Sequence, residues 1–151
     1  MVPKQLPEDF KEFIQFLNEH KVRYILLGGW AVGIYGNPRA TKDIDFLIAI
    51  DDENIDHLQK ALFHFGAPTV DKSVFQEIGN VFRLGSSPIQ IDVTNDADGI
   101  DFELCYEKRN SITIDDLEIS VISKEDLIVN KKASGRHRDL ADVEFLEGGE
   151  L

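Results

Sequence analysis

Apolar residues recur along the chain with two different periods, and the change from one to the other marks out helices and strands. Phe10, Phe13, Ile14 and Leu17 fall at i, i+3, i+4 and i+7, one face of a helix. Pro7 suits its first turn, Glu8 and Asp9 complement the positive end of its dipole, and it should end near His20. Residues 23–27 ("RYILL") read as a short buried strand that Gly28-Gly29 breaks, and residues 30–36 as a short helix before a loop at 37–39. Over residues 42–50 the pattern alternates. Asp43, Asp45 and Leu47 share one face of a strand, and Ile44, Phe46 and Ile48 the other. "DDEN" at 51–54 starts a helix with the stripe Ile55, Leu58, Leu62 and Phe65, stopped by Gly66 and Pro68.

After that the pattern is β. Residues 73–85 predict a hairpin turning at Gly79-Asn80. Residues 88–94 alternate, with Ile89, Ile91 and Val93 on one side and Gln90, Asp92 and Thr94 on the other. Residues 97–111 carry few signals and read as loop, and 117–122 as a strand. Ser123 can cap the next helix, with Asp126 at the N3 position of a capping box. The remainder predicts two helices broken near Gly135. With no repeat, linker or low-complexity tract, residues 1–151 read as a single α/β domain.

Composition narrows the function without naming it. Apolar residues make up 42% of the chain and charged residues 29%, an ordinary globular balance. The net charge of −12 argues against broad binding to nucleic acid, which needs a basic face. It leaves room for a nucleotide, because a metal ion can supply positive charge locally. The lone Cys105 cannot form an internal disulfide. The first residues lack the basic and apolar regions of a secretory signal, and the longest uncharged run, residues 24–38, contains four glycines and is too short to span a membrane. A cytoplasmic protein with no membrane partner is expected.

Three carboxylates then stand out. Asp43 and Asp45 share a strand face, and Asp92 lies between apolar neighbours on another strand. Ionised carboxylates in such places are costly unless a cation offsets them. If the two strands are neighbours, their oxygens converge on one spot suited to Mg²⁺, and two such ions would serve an in-line phosphoryl displacement. The bland alternative is that these acids cap loops or pair with Arg39, Lys42 or Arg83. A second feature is the strand–Gly28-Gly29–helix turn, where backbone can approach an anion. It is neither GxGxxG nor a Walker A loop, and an ordinary tight turn would look the same. A third is "KKASGRHRDLAD", residues 131–142, where Lys131, Arg136 and Arg138 gather positive charge, suited to a triphosphate or simply to neutralising Asp139 and Asp142. The histidines have no metal-ligand spacing, and no G-x-S-x-G elbow is present.

In this order the features resemble the polymerase-beta-like nucleotidyltransferase superfamily: a Gly-Gly turn, a short gap, D-x-D, and a third carboxylate on a later strand. "GGWAVGIYGNPRATKDIDFLI" is similar to the small prokaryotic nucleotidyltransferases of the lincosamide and AbiEii-toxin type. Their C-terminal K-x-x-x-G-R-x-K-D-x-x-D pattern also has a counterpart here, with Arg138 where that pattern has Lys. The likeness runs from about residue 23 to 145. It implies an α/β core with a mixed β-sheet flanked by helices, and Mg²⁺-dependent transfer of a nucleoside monophosphate from an NTP, ATP foremost, to a hydroxyl. Mn²⁺ could replace Mg²⁺. It assigns Asp43, Asp45 and Asp92 to metal binding and catalysis, with Asp92 also the base for the acceptor. Gly28, Gly29, Arg39, Thr41, Lys131 and Arg138 are assigned to the nucleotide. Helix period sends Lys131 and Lys132 in different directions, so only one should face the site. Acceptors in the resembled families include antibiotics, tRNA and proteins. Little chain is left over to line an acceptor pocket, so a homodimer or a partner protein is expected. The competing reading is a nucleotide-binding or toxin–antitoxin interaction module with little turnover.

Overall fold

The structure, a computed structural model, describes residues 6–36, 43–86 and 89–148. In chain order the elements are α1 (Glu8–Glu19), β1 (Tyr24–Leu27), α2 (Gly28–Ile34), β2 (Asp43–Ile48), α3 (Asp52–Phe65), α4 (Ser73–Gln76), β3 (Val81–Ser86), β4 (Ile89–Thr94), α5 (Phe102–Glu107), β5 (Asn110–Ile114), β6 (Leu117–Val121), α6 (Lys124–Ser134) and α7 (His137–Gly148). The strands form one six-stranded mixed sheet in the order β3-β4-β2-β1-β6-β5. Strands β2 and β4 are parallel, as are β1 and β6, while the pairs β1–β2, β3–β4 and β5–β6 are antiparallel. No helix among the described residues is long and apolar enough to cross a membrane.

One face of this sheet is the core predicted by the alternation. Ile44 and Phe46 of β2 and Ile91 and Val93 of β4 are buried. Phe13 of α1 packs on Phe46 with ring centroids 5.4 Å apart, and on Phe65 of α3 at 5.2 Å. The stripe Phe10, Phe13, Ile14 and Leu17 is buried throughout. Helix α3 has the expected ends: the Asp51 side chain accepts from the Asn54 N–H, and Gly66 closes it in the left-handed conformation at φ 98°. Asn54 does more than start that helix. Buried, it donates to the Ala49 and Arg23 carbonyls and accepts from the Arg23 N–H. It thereby ties the start of β1 to the end of β2 and helps fix the register that sets Leu27 opposite Asp45.

Two expectations are corrected. Residues 73–85 are not a hairpin: the first part is the short helix α4, and β3 pairs instead with β4. Phe75 is buried against Phe82 at 5.1 Å, and Asn95, beyond β4, donates to the Phe75 and Glu77 carbonyls and accepts from the Gly79 N–H. That long-range clamp satisfies backbone groups a hairpin would have paired, and periodicity cannot reveal it. Residues 97–111 are not mostly loop. Asp101 caps α5 by accepting from the Leu104 N–H, and Asn110 and Ser111 open the edge strand β5. Strand β5 turns into β6 through Asp115 and Asp116, both at positive φ. Ser123 caps α6 through the Asp126 N–H as expected.

Candidate active site

The register of the sheet sets four side chains in one row: Leu27 of β1, Asp45 of β2, Asp92 of β4 and Arg83 of β3. They lie on the face opposite the Phe46 core, because side chains alternate along each strand. Asp43 is two residues from Asp45 on the same face, opposite Gln90. Gly28 follows Leu27 at φ 72°, and a Cβ there would collide with the Asp45 carboxylate oxygen Oδ2. Glycine is therefore required twice over, by the backbone conformation and by the closeness of Asp45.

Asp92 is buried and held by its neighbours. Arg83 Nε donates to Oδ1 at 2.9 Å and a terminal guanidinium nitrogen to Oδ2 at 3.4 Å, while Gln90 Nε2 lies 3.3–3.4 Å from both oxygens. Among the described residues no arginine forms such a fork on Asp45. Burial pushes its carboxyl up to about 6, repulsion from Asp92 and Asp43 adds to the shift, and Lys131 and Arg83 offset only part of it.

Helices α6 and α7 complete a cavity of about 290 Å³ over this row. Its walls include Gly28, Asp45, Arg83 and Asp92 from the sheet side and Lys131 and Arg136 from the helix side. Lys131 is buried, its Nζ 3.1 Å from Asp139 and 3.3 Å from Asp142. Lys132 is exposed and pairs with Glu147, so Lys131 is the lysine that faces the cavity. Asp139 also accepts from Ser134 Oγ and Arg136 Nε, both at 2.7 Å. Burial alone would push the Asp139 carboxyl up, but the hydrogen bonds from Arg136, Ser134 and Lys131 outweigh it and hold it well below the usual carboxylate range. The loop after β4 is pinned to α6: Asn130 Nδ2 donates to the Asp98 carbonyl at 2.9 Å, and a Cβ on Gly99 would lie 3.0 Å from the Ala133 methyl.

Of the residues singled out from sequence, Gly28, Asp45, Asp92 and Lys131 line this cavity. Asp43 adjoins it and acts electrostatically on Asp45 and Arg83. Gly29 and Arg138 are not among its lining residues, and Arg138 is exposed; Arg136, two positions earlier, lines the wall instead. Arg39 and Thr41 lie outside the described residues. Asn130, Ser134 and Asp98 also line it and carry no motif by which sequence could find them. A larger cavity of about 460 Å³ beside α3 holds none of the candidate carboxylates.

A divalent cation fits the carboxylate face by charge and donor type. Asp43, Asp45 and Asp92 offer hard oxygen donors, and burial of Asp45 together with its repulsion from Asp92 and Asp43 favours a cation beside it. Among the described residues no three acidic, histidine or cysteine side chains are already gathered about one point, and Asp92 is engaged by Arg83.

The mixed sheet, with Asp45 and Asp92 side by side next to the Gly28 turn, has the fold of a nucleotidyltransferase. The chain belongs to the family described as "Nucleotidyltransferase of unknown function (DUF6036)", which it matches over residues 4–147. Solved structures share the fold. The lincomycin-bound lincosamide antibiotic adenylyltransferase LnuA aligns with a TM-score of 0.63 at 17% identity, covering 96% of this chain and 98% of that one. A protein from Thermotoga maritima described as a "putative nucleotidyltransferase" aligns at 0.59 and 17% identity, with 93% and 89% covered. The antibiotic-resistance factor ANT(2'')-Ia aligns at 0.59 and 14% identity, with 93% and 82% covered. No curated protein matches the chain significantly.

Proposed function

We propose that this chain, as a single nucleotidyltransferase domain, transfers a nucleoside monophosphate from an NTP to an acceptor hydroxyl with Mg²⁺ or Mn²⁺ bound at Asp43, Asp45 and Asp92. The observation that carries this reading is the Asp45–Asp92 register pair, two partly or wholly buried acids on adjacent strands, one with a carboxyl pushed up to about 6. Such a pair is better stabilised by a multivalent cation than by solvent. When bound, divalent ions would screen the phosphate charge and lower the pKa of the attacking hydroxyl. The chain's own residues would do the rest. Gly28 would let the phosphates approach the backbone, and Lys131 and Arg136 would supply positive charge from the opposite wall. Asp92 would take the proton of the acceptor hydroxyl as its oxygen bonds to the α-phosphorus and pyrophosphate leaves.

ATP is the expected donor, a reading supported by the adenylyltransferase among the structural neighbours. A cavity of about 290 Å³ lies at the small end of ligand sites, which run from roughly 300 to 1,000 Å³. It suits a polyphosphate and leaves the acceptor outside, where a second copy or another protein would complete its site. The acceptor belongs to the class of small molecules, tRNA or proteins that carry a free hydroxyl.

The test is thermal melting with and without Mg²⁺ or Mn²⁺ across ATP, GTP, CTP and UTP, with the Asp43→Asn/Asp45→Asn double variant as control. A metal-dependent stabilisation by one NTP, lost in the variant, is the expected result. No shift in any combination would remove the enzyme reading for the isolated chain and favour an interaction module. Light scattering of the active species tests the need for a second copy.

A further inference from the structure

The three cations lining the cavity among the described residues differ in what holds them. Lys131 sits on Asp139 and Asp142, and Arg136 on Asp139, acids of α7 that belong to the helix wall. Arg83 is held by Asp92, one of the three acids read above as a metal site. Its side chain is 59% exposed while that of Asp92 is 11% exposed, and it projects from the edge strand β3. The carboxylate is thus fixed in place, whereas the guanidinium on it is tethered by a long solvated side chain.

A guanidinium and a divalent cation compete for the same carboxylate oxygens. At hydrogen-bonding range they also repel, because like charges a few ångströms apart at a part-buried site are weakly screened. The exposed half of such an ion pair is held weakly and released at little cost. Once released, the planar fork that matched a carboxylate matches phosphate oxygens equally well. Arg136 is more exposed still, but neither it nor Lys131 is held by Asp92, so Arg83 is the lining cation whose release is tied to filling of the carboxylate site.

We propose that Arg83 is a metal-gated phosphate-binding residue: it holds Asp92 in the metal-free protein, is displaced when a divalent cation takes that carboxylate, and then pairs with the polyphosphate of the incoming nucleotide. This rests on the nucleotidyltransferase reading above. It makes metal and nucleotide binding positively coupled through one side chain, and by linkage each tightens the other. A purely static role, in which Arg83 only orients Asp92 for the metal, gives the opposite sign for the effect of its removal on metal affinity.

The experiment measures Mn²⁺ binding to the full chain from the free-ion electron paramagnetic resonance signal, for wild type, Arg83→Gln and Arg83→Lys, without nucleotide. A second arm measures binding of a non-hydrolysable fluorescent ATP analogue at saturating Mn²⁺. Circular dichroism melts check the fold, and the lysine variant retains the charge without the fork. Arg83→Gln should bind Mn²⁺ about fivefold more tightly, as loss of one exposed ion pair implies. It should bind the analogue about tenfold more weakly, as loss of one charge-assisted phosphate contact implies. Arg83→Lys should fall between. If wild type binds Mn²⁺ and Arg83→Gln binds it no more tightly, or if the analogue binds both equally, the gating role is overturned while the metal site stands. If neither protein binds Mn²⁺, the metal site and the gate fall together.

Discussion

Asp45 and Asp92 face each other as register partners on two parallel strands, and Arg83 sits beyond Asp92 as its partner on the antiparallel side. Burial pushes the Asp45 carboxyl up to about 6, and repulsion from Asp92 and Asp43 adds to it, offset only in part by Lys131 and Arg83. The sign for stability follows. Between the ordinary value of 3.8 and about 6, the folded protein binds more protons at Asp45 than the unfolded chain does, so stability falls as pH rises. Integrated over that window the loss is about 3 kcal/mol. Metal-free protein should lose this much from Asp45 between pH 4 and pH 7, and saturating Mg²⁺ should restore most of it at pH 7.5. Asp45→Asn should raise the melting temperature of the metal-free protein at pH 7.5 and remove its response to Mg²⁺. Urea titrations across pH would decide, and a flat profile would remove the electrostatic account.

Asp139 works in the opposite direction. Its folded-state value lies below the ordinary one, so its contribution is present above about pH 4 and lost as pH falls below that. Asp139→Asn leaves Lys131 buried with a single carboxylate, Asp142, and should cost about 3–5 kcal/mol at pH 7, the usual penalty for breaking a buried ion pair on one side. The same variant should unfold with a shallower loss of stability on the acid side than wild type. Equilibrium denaturation at pH 3 and pH 7 measures both effects.

Gly28→Ala should do more damage than a left-handed glycine usually suffers. The new methyl must displace the Asp45 carboxylate and also adopt φ 72°, which alone costs roughly 1–2 kcal/mol for a non-glycine residue. Gly79, at φ 100°, has nothing within 4 Å of an added Cβ and serves as the control for backbone strain. Both variants should lose stability, while Gly28→Ala alone should also abolish Mg²⁺-dependent stabilisation. Paired melts with and without Mg²⁺ separate the two.

Lys131→Ala and Lys132→Ala form a matched pair on consecutive positions of α6. Lys132 is half exposed on Glu147, and its loss should cost less than about 1 kcal/mol with no change in nucleotide binding. Lys131→Ala leaves Asp139 and Asp142 without their buried cation, so it should lower stability by several kcal/mol and weaken binding of an ATP analogue. Equal effects at the two positions would contradict the orientation of the helix.

Local pattern along the chain determined much of this protein. Alternation alone assigned Asp43 and Asp45 to one face of β2 and Asp92 to one face of β4 with Gln90 and Thr94, because side chains reverse at every residue of a strand. The α1 stripe, the Asp51 and Ser123 caps and the Gly66 and Gly135 stops were legible for the same reason: each is settled within one or two turns of chain. Tertiary structure decided what depends on distant partners. The strand order placed Asp45 against Asp92 and Arg83 beyond it, and periodicity carries no information on which strands become neighbours. Helix α4 stands in place of a strand because Asn95, twenty residues on, binds the carbonyl of Phe75, and Phe82 of β3 packs against its one buried ring. Strand β5 is an edge strand, largely exposed, and so carries little hydrophobic alternation along the chain. Lys131 rather than Lys132, and Arg136 rather than Arg138, came to the cavity because α7 folds back on α6 and presents Asp139 and Asp142 to that side. A charge-rich helix has several chemically equivalent faces, and only the packing of another element against one of them breaks the tie.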